Sequence, residues 1–285
     1  IHSCFSAEGW ISYASSSFRA LTKNIIGRLK RRLNGKSGRD RTRIGRRKIH
    51  KASAANQILI GAASSPLPLA VSRLGTTENA VVKHYVQNQV DGRCAFPESL
   101  KQAIKELSGF FPIDDDSVSR FSRETLEQLE EINVMGIRSE RREHSFWSQE
   151  KFLLTKIARQ STLIDFNALV PIGNPQSWTR ELKGRKVLVV HPFARTLTQQ
   201  FAKRHELFDI PDFLPDCDLD VLAAVQSVGD NSSQTGFATW FDALDSMRKE
   251  IARRDFDVAL IGAGAYGLFL AAECKRLGKV GIHIG

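Results

Sequence analysis

From Leu67 onward, short and almost wholly apolar runs alternate with stretches of helical period, and few folds accept that alternation. Leu67–Leu74 reads as a strand and Thr76 to about Gln89 as a helix. Two polar-faced helices follow, Pro97–Leu107 and Ser117–Glu131, then a short strand, Asn133–Ile137, and a helix, Glu150–Arg159. Beyond a loop bearing Pro and Gly the rhythm is regular. Strands at Lys186–Val190, Leu219–Val228, Val258–Ile261 and Val280–Ile284 alternate with helices at Thr196–Leu207, Phe237–Arg254 and Tyr266–Leu277. Strands that are apolar on both sides and separated by helices bury both faces. The chain is therefore expected to be α/β, an open, mostly parallel sheet with helices on both faces.

Charge divides the chain. Residues 1–56 hold 14 of its 41 Lys/Arg against only Glu8 and Asp40, which leaves 27 basic and 29 acidic groups in the remainder. The folded part is thus close to neutral, and the net charge of +10 belongs to a tail. This separates a basic, partly amphipathic tail at residues 1–56 from a domain at 57–285. Within the tail Phe18, Leu21, Ile25, Leu29 and Leu33 recur at helical spacing with Lys and Arg between them. Three readings fit: peripheral contact with an anionic membrane through residues 16–51, a helix packed on the domain, or a solvated linker. Nucleic acid is not expected as a partner, because no aromatic interleaving or zinc-finger spacing accompanies the charge.

No apolar run reaches the ~20 residues of a membrane span. Cys4, Cys94, Cys217 and Cys274 never form a C-x-x-C pair, which fits a reducing, cytoplasmic setting, with the inner membrane face as the place of any peripheral contact. The chain opens on Ile1 and stops on Gly285 directly after an apolar run, so it is expected to be a piece of a longer polypeptide.

Ligands of open α/β sheets bind outside the carboxyl ends of the strands. Four motifs compete for that position. Val258-Ala-Leu-Ile-Gly-Ala-Gly-Ala-Tyr-Gly267 runs from a strand through G-x-G-x-x-G into a helix. Gly262, Gly264, Tyr266 and Gly267 would there cradle a phosphate at a helix N-terminus, or form a tight turn with no ligand. The next strand offers His283 and no carboxylate for a ribose, which argues against NAD and a Rossmann oxidoreductase. At Arg73-Leu-Gly-Thr-Thr-Glu78 another strand meets a helix. Arg73 and Gly75 suit a phosphate, while Glu78 is either a ligand or a group favoured by the helix dipole. His191 follows Val187-Leu-Val-Val and precedes Pro192, at a place for acid–base work or for a structural role, and Gln226 sits at the carboxyl end of the strand after it, two residues before Val228. Asp216-Cys-Asp-Leu-Asp220 is a D-x-D string that precedes its strand, so its aspartates are expected on a solvated strand face. Asp114, Asp115 and Asp116 are expected to cap a helix.

In order and spacing the strings KGRKVLVVHPFA, LPDCDLDVLAAVQSV, DFDVALIGAGAYGLFLAAECKRLGK and IHIG resemble bacterial polysaccharide-biosynthesis proteins with the GT-D glycosyltransferase fold. SRLGTTENAV and SGFFPIDDDSVSRFS resemble that family's first turn and helical insertion, so the resemblance spans roughly residues 67–285. It implies a Rossmann-like sheet and transfer of a sugar from a nucleotide-sugar donor to a glycan or glycoconjugate acceptor. It also implies a divalent metal, Mn or Mg, on an Asp-x-Glu motif. Glu78 matches the Glu, as catalytic and metal-binding residue, while Thr76 stands where the Asp is expected. Val170-Pro-Ile172 replaces the family's Glu-Pro-Tyr-like stretch. A non-catalytic nucleotide-binding or scaffold protein of the same fold is the alternative.

Overall fold

The structure, a computed structural model, describes residues 42–138, 151–155 and 160–285. The amphipathic stretch from Phe18 to Leu33 lies outside these residues; of the helix expected at 150–159, residues 151–155 are described and helical and the other half lies outside.

Among the described residues the strands are β1 (Arg43–Ile44), β2 (Arg47–His50), β3 (Leu69–Arg73), β4 (Val134–Ile137), β5 (Thr162–Asp165), β6 (Lys186–His191), β7 (Asp218–Ala223), β8 (Val258–Ile261) and β9 (Val280–His283). They form one sheet in the order β1-β2-β5-β4-β3-β9-β8-β6-β7. β1 and β2 pair antiparallel, and every other pairing is parallel. The strands at the centre are buried along their length, which is why they read as unbroken apolar runs.

The principal helices are α1 (Ala52–Ala63), α2 (Thr76–Asn88), α3 (Glu98–Ser108), α4 (Asp115–Glu131), α5 (Ala194–Phe201), α6 (Trp240–Ala252) and α7 (Tyr266–Arg276). One core joins the apolar faces of α2, α3, α4, α6 and α7 around Phe110, Phe121, Trp240 and Phe269. A second core, on α1, gathers Leu59, Trp178 and Leu182 against Val71, Ile164 and Ile282. Alternation along β3 divides the two, with Ala70 in the first and Val71 in the second. Local chemistry sets the helix ends. Asp114 accepts from Ser117 N–H at 2.8 Å, as expected of the acidic run, and Thr239 and Asp242 form a reciprocal capping box on α6.

The folded unit begins before residue 57. Residues 43–56, on the tail side of the expected boundary, supply β1, β2 and the first part of α1, and the compact unit runs from Arg41 to Gly285. Ile44 and Ile49 are buried, and the Arg47 guanidinium donates to the carbonyls of Ser161 and Leu154. A basic string can be a strand when its few apolar residues all point one way. β5 was not expected at all. β7 ends at Ala223 rather than Val228, because the chain there turns off the sheet to line a crevice. The helix expected at 196–207 is α5 followed by a single separate turn, Arg204–Leu207.

Topology locates that crevice. From β6 the chain proceeds outward to β7, whereas from β8 it proceeds the other way to β9. Adjacent strands that send the chain in opposite directions leave a gap outside their carboxyl ends.

Candidate active site

The crevice encloses about 520 Å³ and is walled by the chain leaving β3, β6, β7, β8 and β9, together with the end of α3. Arg73, Gly75, Glu78, His191, Gln226, Gly262, Gly264 and Tyr266 all line it. Gly267 does not. A β-carbon at Gly267 would collide with the His283 ring, so this glycine lets α7 lie directly on β9. Gly264 has φ +55°, the left-handed conformation that the turn from β8 into α7 requires. The aspartates of the D-x-D string sit at the amino end of β7, away from the crevice. Asp220 pairs with Arg254 at 2.6 Å, and Asp216 pairs with Arg204.

Glu78 stands in the first turn of α2, 8% exposed, with its carboxylate folded back so far that Gly75 has no room for a β-carbon. Burial raises its pKa. Its own backbone N–H, the Ser108 hydroxyl and the charges of Arg73 and Arg138 work against that rise without cancelling it. Arg73 and Arg138, at the ends of neighbouring strands, lie 5.9 and 5.1 Å from the Phe166 ring centroid.

His191 accepts from the Phe193 backbone N–H through Nδ1, at 3.1 Å. Burial lowers its pKa, so the ring is neutral near pH 7, and a neutral ring that accepts at Nδ1 carries its proton on Nε2. That proton makes His191 a donor toward its surroundings rather than a base. The next strand end, beside Gly267, carries His283. It is 4% exposed and paired through Nδ1 with Ser72 Oγ at 3.0 Å, and burial together with the Arg73 charge pushes its pKa down to about 3.

Ser227 ties the floor together. Its hydroxyl donates to the Gly109 carbonyl at 2.7 Å and so accepts from Tyr266 OH at 3.0 Å. Tyr266 stacks flat on Trp240, 4.4 Å and 5° apart, and burial holds its phenol well above the usual pKa. Ser108 and Ser227 escaped the sequence reading. Gly109, the left-handed glycine after α3, was the one local mark of where that helix stops. At the mouth stand Leu107, Phe193 and Val228, large apolar residues left exposed.

The helices α2 and α7 both begin at the crevice, with Gly75 and Ala265 at their N-caps, so their positive dipole ends favour negative charge there, while the Tyr266 and Gly267 N–H groups donate to the carbonyls of Ala263 and Gly264 and the Glu78 N–H is held by its own carboxylate. Among the described residues Glu78 is the only carboxylate lining the crevice, and no three His, Cys, Asp or Glu converge as a metal set. With Thr76 in the place of an Asp and Glu78 turned into the wall, these side chains do not make the multi-oxygen cage of a divalent cation. No helix among the described residues is long and apolar enough to cross a membrane.

No curated protein matches the chain, and no solved structure does. A family model described as a GT-D fold-like domain matches residues 51–285, which takes in β3 to β9 and the whole crevice. The fold is of glycosyltransferase type, and the chain belongs to the GT-D fold-like family.

Proposed function

We propose that this chain is a glycosyltransferase that moves a sugar from a nucleotide-sugar donor to a polysaccharide or glycoconjugate acceptor. One observation carries the reading: Arg73, His191 with its proton on Nε2, and the first turns of α2 and α7 all line the one crevice at the switch point. A donor's diphosphate would bind beside Arg73 in that crevice. It leaves with developing negative charge, and oriented helix dipoles and a guanidinium stabilise such charge without reorganising. The glycine turn at 262–264 lets the backbone approach a phosphate, and Arg73 and Gly75 flank it from β3. His191 serves as hydrogen-bond donor to the leaving phosphate, and Glu78 orders the donor through its helix end. Gln226 and the apolar mouth residues are placed to meet the sugar and the acceptor.

A second reading has an observation of its own. Thr76 and the wall-bound Glu78 leave the crevice without an exposed carboxylate among the described residues, as in a nucleotide-binding scaffold that has lost turnover. Calorimetry with UDP- and GDP-sugars, followed by assay of nucleoside diphosphate release in the presence of glycan acceptors, separates the two. Binding with turnover carries the transferase. Binding without turnover favours the scaffold, and failure to bind any donor sinks the transferase reading.

The proposed setting is the cytoplasmic side of an anionic membrane, with the basic residues 16–51 as the contact. A chain beginning at Arg41 keeps the folded unit and should lose most of its binding to anionic vesicles.

A further inference from the structure

Sugar-nucleotide chemistry needs positive charge beside the diphosphate, and in this crevice the side chains themselves supply it. The carboxylate of Glu78 is held by Ser108 and by its own N–H, against Gly75, so its oxygens are engaged in the wall. A divalent cation asks for about six oxygen ligands, and a second carboxylate is what Thr76 fails to provide. The positive side is fuller. Arg73 lines the crevice with its guanidinium close to Gly285, and Arg138 shares the Phe166 ring with it from the next strand. Both guanidiniums act on Glu78, and two helix N-termini open onto the same space.

We propose that Arg73, backed by Arg138 and by the N-termini of α2 and α7, neutralises the donor diphosphate in this chain, so that a nucleoside diphosphate binds without a divalent cation. The inference rests on the transferase reading and narrows it: the guanidinium takes the place at the diphosphate that a metal would hold. Glu78 then positions the start of α2 and touches no cation.

Calorimetric titration of the full chain with UDP and with GDP tests this, once in a chelating buffer and once with Mn²⁺ or Mg²⁺. The expected result is the same Kd in both buffers. Arg73→Ala should weaken binding about tenfold or more, because a charge-assisted bidentate contact is lost. Arg73→Lys keeps the charge but not the fork, and should fall between wild type and Arg73→Ala. Glu78→Gln keeps shape and removes the negative charge that Arg73 and Arg138 face, so binding should tighten. Binding that appears only with the cation overturns the inference and leaves the transferase reading in place. So does binding abolished in a folded Glu78→Gln. Should Glu78→Gln fail to fold, the comparison of the two buffers on the unaltered chain decides alone. A chain that binds no nucleoside diphosphate or nucleotide-sugar in either buffer removes the transferase reading and this inference with it.

Discussion

A β-carbon on Gly262 would come within 2.6 Å of His191 Cδ2, so these two residues set the width of the crevice where β6 and β8 part. Gly262→Ala should push the imidazole out of line and weaken nucleotide binding by about tenfold, close to 1.4 kcal/mol. Stability should fall by about 1–3 kcal/mol, since one methyl must displace a half-buried ring. Calorimetry and urea unfolding on the same preparation read the two effects. Unchanged binding would mean that His191 is not at the ligand.

Gly267 should behave differently although it lies in the same glycine string. Its missing β-carbon makes room for His283 inside the core rather than for a ligand. Gly267→Ala should cost about 1–3 kcal/mol in urea unfolding, and any loss of affinity should follow the unfolded fraction. A fully stable variant with weakened binding would place Gly267 in the phosphate cradle instead.

Two buried groups give the fold an opposed pH dependence. His283 is neutral in the fold down to a pKa of about 3, whereas in the unfolded chain it takes up a proton near pH ~6.5. Between those values the unfolded state binds more protons, so stability falls as pH drops, by roughly 1.4 kcal/mol per pH unit from this group. Glu78 works the other way. Its folded pKa is raised, so its contribution is complete below the unfolded carboxyl value and is lost as pH rises through the folded one. His283→Asn should flatten the acid side of a stability–pH profile, and Glu78→Gln should raise stability at neutral pH. A His283→Asn profile parallel to the wild type between pH 6.5 and 5 would refute the assignment.

Removing the Tyr266 hydroxyl leaves its stack on Trp240 and leaves Ser227 bonded to Gly109. Tyr266→Phe should therefore cost only about 1 kcal/mol, the net worth of one hydrogen bond. Ser227→Ala should cost more, because the Gly109 carbonyl and the buried phenol both lose their partner. Thermal unfolding of the two variants ranks them, and the reverse order would contradict the network.

Phe193 is 64% exposed at the mouth, its ring tilted against that of His191 with 5.3 Å between centroids. Phe193→Ala should leave stability within about 0.5 kcal/mol. A rise in acceptor KM with kcat preserved would identify the mouth as the acceptor side.

Much of this site was legible in the chain before it was folded. Polar residues that directly follow apolar runs must sit where strands end, and that rule alone assembled Arg73, His191, Gln226 and Gly262 in one place. Register was harder. The G-x-G-x-x-G string treats its glycines alike, yet Gly267 serves packing, because that role depends on which residue of β9 lies across from it. Ser108 and Ser227 were invisible for the same reason. Each is an ordinary serine until the end of α3 meets the loop after β7, and Ser227 lies 118 residues from its partner Gly109. The β1–β2 hairpin was lost to its own charge, since two isoleucines among four Lys/Arg residues carry too weak a period to read.

The position of β9 governs when this sheet can exist at all. β9 is bonded to β3 on one side and β8 on the other, and among the described residues no other strand joins the wing formed by β1 to β5 to the wing formed by β6 to β8. Without β9 the other described strands can pair only as two separate half-sheets, with the edges of β3 and β8 that face it unpaired. Only when residues 280–283 leave the ribosome can the gap between them close, in a step that joins residues some 210 positions apart. The crevice has walls from both wings, so it cannot be complete until β9 has joined them. A nascent chain stalled before that strand carries nearly every site residue and has no site.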